Sequence, residues 1–156
     1  MLNKNNPYFM ELAEISRKWE ADKKKRLDEK HAIMDQVGWE TSELHAWYER
    51  EETFKYPIPT GASKAWRAWR NTIREEREEL LLETHLCDGE AAQFVEALRK
   101  AEIQSFIYAD ESTAVMRNIH ELVAAGCTLD SLQVIVKEGD EFTNTEEIPA
   151  IRFTIG

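Results

Sequence analysis

The chain has 156 residues, 42% hydrophobic and 32% charged, with a formal net charge of −10 and a sequence pI near 4.9. Five Trp, six Phe and four Tyr exclude a disordered chain. The excess of carboxylates excludes a surface that is basic all round, as neutralising nucleic-acid phosphates would require.

The charge is uneven: residues 1–88 carry −3 and residues 89–156 carry −7. An acidic segment of this kind suits either simple solubility or a basic partner surface. Cys87 and Cys127 are the only cysteines, too few for a disulfide framework or a metal-ligand set. The opening MLNKNNPYF lacks the apolar centre of a secretion signal, and no run of about 18 apolar residues occurs. The expected setting is a reducing bacterial cytoplasm, with no membrane contact.

In chain order, Asn6-Pro7 reads as a helix start, Asn6 capping and Pro7 in the first helical position. Tyr8, Leu12, Ile15 and Trp19 then follow helical spacing, and the stripe returns at Ile33, Met34 and Val37 before Gly38 stops it. The stretch 20–30 between them is charged, with Leu27 its one large apolar residue and Lys23-Lys24-Lys25-Arg26 a basic cluster. Such a helix is expected to project or to pack on another chain. A shorter helix is predicted over 41–54, capped by Thr41 or Ser42, with Leu44, Trp47 and Tyr48 on one face. Tyr56-Pro57-Ile58-Pro59-Thr60-Gly61 is the strongest break in the chain and reads as an extended connector.

A third helix is predicted over 62–86, with Ala62, Trp66, Trp69, Ile73 and Leu80 as its apolar stripe. Arg67, Arg70, Arg74 and Arg77 fall on the adjoining face, within i,i+4 reach of Glu75, Glu76, Glu78 and Glu79. Trp66, Arg67, Trp69 and Arg70 are residue types favoured at interfaces, and Trp can also stack on unpaired bases; Trp at helical spacing equally suits a core. Cys87-Asp88-Gly89 marks a junction. A fourth helix follows through Ala91, Phe94, Val95, Leu98 and Ala101. A strand is predicted over 103–109 and a helix after it, capped by Asp110 or Ser112 and stopped by Gly126. Strands starting at Leu132 and Ala150 form a hairpin around an acidic loop, 137–149, that carries Glu138, Asp140, Glu141, Glu146 and Glu147. The expected fold is α+β: three helices over 1–88, the first long, then a small α-β-α-β-β unit with a three-stranded sheet over 89–156.

No phosphate loop, HExxH or CxxC is present. His31, His45, His85 and His120 do not cluster with the cysteines in a ligand pattern. His120 and Cys127 are seven positions apart with Cys127 past the helix stop, which suits a packed thiol better than a thiol–imidazole pair. Asp110 and Glu111 at a helix start are explained by capping and by the helix dipole. The sequence therefore points to no enzyme, no metal and no cofactor.

Phe94-Val95, Leu98-Arg99-Lys100-Ala101, Phe106, Ser112-Thr113, Met116, Asn118-Ile119-His120, Ala125-Gly126-Cys127 and Ile151-Arg152-Phe153 resemble a small uncharacterised domain of Firmicutes, chiefly clostridial, mobile-element proteins. The resemblance runs over about 93–156 and leaves the helical part uncovered. Members lie in phage-like and conjugative elements, and that setting implies an accessory or counter-defence role. Its sharpest form is an anti-CRISPR protein that binds the basic channel of a CRISPR effector nuclease and blocks DNA loading or cleavage. The residues expected to bind are Glu138, Asp140, Glu141, Glu146 and Glu147, joined by Asp110 and Glu111 if the fold brings them near. A nucleic-acid-binding accessory protein using 23–26 and the Trp/Arg face stays open beside it. So does a structural homodimer joined through the first helix.

Overall fold

The computed structural model describes residues 2–39 and 41–156. Five helices and four strands follow in the order α1 Pro7–Val37, α2 Ser42–Glu51, α3 Thr60–Arg74, β1 Leu80–Leu82, α4 Glu90–Lys100, β2 Ser105–Tyr108, α5 Val115–Ala124, β3 Cys127–Lys137 and β4 Glu146–Ile155. None of the helices is long and apolar enough to cross a membrane. The chain divides into two compact units, Met10–Ile58 and, discontinuously, Met1–Phe9 with Pro59–Gly156. The division expected at 88 thus falls inside the second of these.

Met10–Ile58 is a helical hairpin. Gly38, at φ 78°, donates its N–H to Met34 O at 2.9 Å and ends α1. Thr41 caps α2 by accepting from Leu44 N at 3.4 Å. The chain then runs back along α1. Trp47 donates its indole N–H to Arg26 O at 3.2 Å, Arg50 meets Glu29 at 2.8 Å, and Trp19 stacks on Phe54 with Tyr56 edge-on. Of the charged middle of α1, expected to project or to meet another chain, Arg26 and Lys30 are half-buried against α2 and the segment after it, while the other residues over 20–30 are exposed. The basic cluster is covered in part: Arg26 lies 3.9 Å over the Phe54 ring and bonds Glu51, and Lys23 lies over Trp19.

The other unit is a mixed four-stranded sheet in the order β1-β2-β4-β3 with α3, α4 and α5. β1 and β2 are parallel, Leu80↔Phe106 to Leu82↔Tyr108, and α4 is the crossover that a parallel pair needs. β4 runs antiparallel to both β2 and β3. Leu80, Leu82, Phe106, Tyr108 and Phe153 are buried, and Phe94 of α4 meets Phe106 edge-on at 5.2 Å. Leu81, Ala109, Ile135, Ile148 and Ala150 form a second cluster, and alternation along the strands puts it on the other face.

The first nine residues belong to this unit. Asn6 caps α1 by accepting from Phe9 N at 3.4 Å, and its amide donates to Ala101 O at 2.8 Å. Phe9 stacks on Trp69 at 5.2 Å, and the Trp69 indole N–H donates to Asn3 O at 3.1 Å.

Several expectations are corrected. The sheet has four strands, not three, because the predicted helix over 62–86 ends at Arg74 and its tail is β1. Glu76 takes the left-handed conformation at φ 55°; its N–H bonds Ile73 O at 3.1 Å, and Arg77 N–H bonds Thr72 O at 3.0 Å. That pair of bonds is a Schellman stop. Past it, the three leucines are buried on both faces of the sheet, where continuous apolar sequence is what a strand needs. The α3 face in contact is also displaced from the expected stripe: Gly61, Ala62, Ala65, Ala68, Trp69 and Thr72 are buried, while Trp66 is half-buried. Secondly, β3 and β4 are longer than expected, starting at Cys127 and Glu146 rather than Leu132 and Ala150.

Candidate functional site

β3 and β4 pair from Cys127↔Ile155 to Lys137↔Glu146, and residues 138–145 close the hairpin. Every residue over 136–147 is exposed, Phe142 at the tip by 92%. Asp140 organises this connection. Its Oδ1 accepts from Phe142 N at 2.8 Å, Thr143 N at 3.0 Å and Thr143 Oγ1 at 3.1 Å. The Phe142 N–H, followed by the Thr143 hydroxyl and N–H, holds its carboxyl below the usual range. Asp140 therefore shapes the turn while leaving its charge at the surface.

Glu138 and Glu141 flank it, exposed. Glu146 and Glu147, expected in the loop, are the first residues of β4. They lie across from Lys137 and Val136 and point to opposite faces of the ribbon. Lys137, the basic residue of the hairpin end, makes an ion pair with Glu83 at 2.5 Å. Over 138–147 the sequence holds five carboxylates and no Lys or Arg.

Asp110 and Glu111, expected to join this surface if the fold brought them near, follow the end of β2. The Tyr108↔Ile151 pairing places the end of β2 toward the same end of the sheet as the hairpin connection. Asp110, however, is held in a network of its own. Its Oδ1 accepts from Ser112 N at 2.8 Å, and its Oδ2 from Ser112 Oγ and Tyr108 Oη at 2.7 Å each. It caps this turn rather than α5, which starts only at Val115 and has no side-chain cap. Burial works to raise the Asp110 carboxyl, but the Ser112 bonds, the Tyr108 hydroxyl and His85 together hold it below its ordinary value. Burial, then the bond to Asp110, pushes the Tyr108 phenol far up. The Tyr108 hydroxyl also lies 3.0 Å from Asn118 Oδ1. Asn118 is fully buried and joins α5 to Leu86: its Oδ1 accepts from Leu86 N at 2.8 Å and its Nδ2 donates to Leu86 O at 2.6 Å. Glu111 is exposed beside this network.

Of the alternative Trp/Arg face, Trp69 is withdrawn from the surface and the other three residues remain on it. Trp69 is buried against Phe9 and belongs to the core. Trp66 is half-buried with the Arg70 guanidinium 5.3 Å over its ring, and Arg67 and Arg70 are exposed. The basic residues over 23–26 lie in the other unit.

One cluster was not anticipated as a set. Arg152 on β4 bonds both oxygens of Glu79 at 2.9 and 3.1 Å, Asp130 at 2.8 Å and Ser105 at 3.1 Å. It joins the segment before β1 to β2, β4 and the irregularity in β3 at Leu129/Ser131. Only alternation along β4 could have flagged it, since Arg152 stands between Ile151 and Phe153 and must face the other way. Among the described residues, no group of three or more His, Cys, Asp or Glu is placed to hold a metal ion.

No curated protein and no solved structure matches the chain. The profile of a domain of unknown function, DUF7698, matches residues 64–155. That span runs from within α3 to the end of β4, more than half of the chain, and takes in the whole sheet. The chain therefore belongs to the DUF7698 family, whose domain here is the sheet with its helices.

Proposed function

We propose that this protein is a cytoplasmic protein-binding inhibitor that seats its acidic hairpin on a basic surface of its partner. The supporting observation is the exposed connection over 138–147, with five carboxylates, no Lys or Arg and an exposed Phe142. Clustered carboxylates on an exposed turn can occupy a channel built for phosphates, because such a channel attracts both by the same field. Phe142 adds an apolar anchor at the centre of the charge, the arrangement that gives an interface its hot spot.

In its sharpest form the partner is a CRISPR effector nuclease, and the bound hairpin excludes target DNA. Glu138, Glu141, Glu146 and Glu147 supply the charge and Asp140 sets the turn. Direct nucleic-acid binding is not part of this function: Trp69 is buried and the chain carries −10. Binding to effector–guide complexes, measured with and without target DNA, tests it. The expected result is salt-sensitive binding that competes with DNA and is lost in an E138Q/E141Q/E146Q/E147Q variant. Absence of binding to a panel of effectors would remove the nuclease as partner. Binding unchanged by the fourfold variant would remove the hairpin as its surface.

A further inference from the structure

β3 is an edge strand, with β4 on one side and no strand on the other. Proteins usually protect such an edge with charges, prolines, bulges or a covering element. Here the irregularity at Leu129/Ser131 and Asp130 guard one end and Lys137 the other. Between them lies Leu132-Gln133-Val134-Ile135-Val136. Ile135 faces the second cluster and is buried, but Leu132, Val134 and Val136 are 80%, 59% and 50% exposed on the other face.

The backbone of the same three residues faces outward. Val134 lies across from Pro149, which has no N–H to give. The pair Val134↔Pro149 must therefore be a non-hydrogen-bonded pair of the antiparallel ladder. It follows that the N–H and C=O of Val134, and by the two-residue period those of Leu132 and Val136, point away from β4. Each exposed apolar side chain thus sits on a residue whose backbone is also unpaired by the sheet.

We infer that this edge pairs with the same edge of a second copy, antiparallel about a twofold axis at Val134. The segment is self-complementary in that register. Val134 meets its own counterpart, and Leu132 of each copy meets Val136 of the other, so all six exposed side chains form one apolar row. At the ends, Lys137 of each copy falls opposite Ser131 of the other, next to Asp130, while Asp130 falls opposite Glu138, just past the end of β3. Shifting the axis by one residue to Gln133 breaks this match and sets Ser131 against Ile135. The joined sheet would have eight strands, with hydrogen-bonded pairs at Leu132, Val134 and Val136 in place of the open edge. This dimer is separate from the acidic hairpin function and does not depend on it.

Sedimentation or light scattering across a wide concentration range tests the inference on the full chain. The expected result is a mass that rises from 18.2 kDa toward twice that value, with the amides of Leu132, Val134 and Val136 protected from exchange only in the larger species. V134K places two like charges across the axis and should weaken the dimer by at least about tenfold. L132K and V136E should each weaken it, and the double variant L132K/V136E should restore it, since each new charge then meets its opposite. Misfolding of a single variant would not produce that restoration. A single-chain mass at every concentration overturns the inference and leaves the edge to a strand of a different protein. A double variant no better associated than the singles also overturns it.

Discussion

Asp110 shows how much chemistry one turn residue can carry. In the sequence it is a plausible helix cap and nothing more. In the fold it gathers Ser112 and Tyr108 beside the Asn118–Leu86 link, contacts set by tertiary position that no local spacing announces. Its folded-state pKa is lowered, so the stability it adds is fully present above the unfolded value of about 3.9 and is lost as pH falls through the folded value. D110N should cost about 1–3 kcal/mol at neutral pH. The gap from wild type should close only below about pH 4, and urea unfolding at a series of pH values would read it. The cysteines give a second test at this scale. Cys87 is exposed, whereas Cys127 is buried and burial pushes its thiol up to about 11, with Arg99 opposing. Alkylation near pH 8 should modify Cys87 in the native protein and both thiols only after unfolding, as mass spectrometry would count.

At the scale of elements, the starts of α1 and α2 and the glycine stops were legible, the start of α5 was not, and of the two stops without glycine only that of α4 was, because a strand pattern follows it directly. Asn6, Thr41, Gly38 and Gly126 stand where composition puts them. The stop of α3 at Glu76 and that of α4 at Glu102 use glutamates at φ 55° and 57°. Ile103 N–H bonds Leu98 O at 2.9 Å in the second of them, the same motif as in the first. A glutamate gives no sign of a left-handed residue, so the predicted third helix ran on through the Glu/Arg stretch into β1. Its three leucines then lacked the alternation that reveals a half-buried strand. E76G and E102G should each raise stability by about 1 kcal/mol, read as a higher melting temperature. Gly61 predicts the opposite. An added Cβ would lie 2.3 Å from Glu90 O and 2.6 Å from Gln93 Cβ, at the closest approach of α3 and α4. G61A should destabilise the sheet unit by about 1–3 kcal/mol in a denaturant melt.

For the whole molecule, the charge step at 88 marks a change of surface, and Pro59 marks the change of packing. The Pro–Gly break at 56–61 was legible as a connector, but charge does not report which side of it packs with the sheet. Nor does it show that residues 1–9 belong there. Phe9 is fully buried, stacks on Trp69 and lies outside the residues matched to DUF7698. F9A should therefore cost about 3–5 kcal/mol, and hydrogen exchange should show the loss across β1, β2 and α3.

The discontinuous make-up of this unit sets an order of events during synthesis. Chains fold domain by domain as they emerge. The hairpin over 10–58 has all of its partners early and can form first. Residues 2–9 leave the ribosome before Trp69 and Ala101 and must wait for them with Phe9 uncovered. β4 is made after β2 and β3 and lies between them, so the sheet cannot join before it appears. Through that interval the edges of β2 and β3 that β4 will pair are both open, which should make the nascent chain a client for holdase chaperones until β4 closes the sheet.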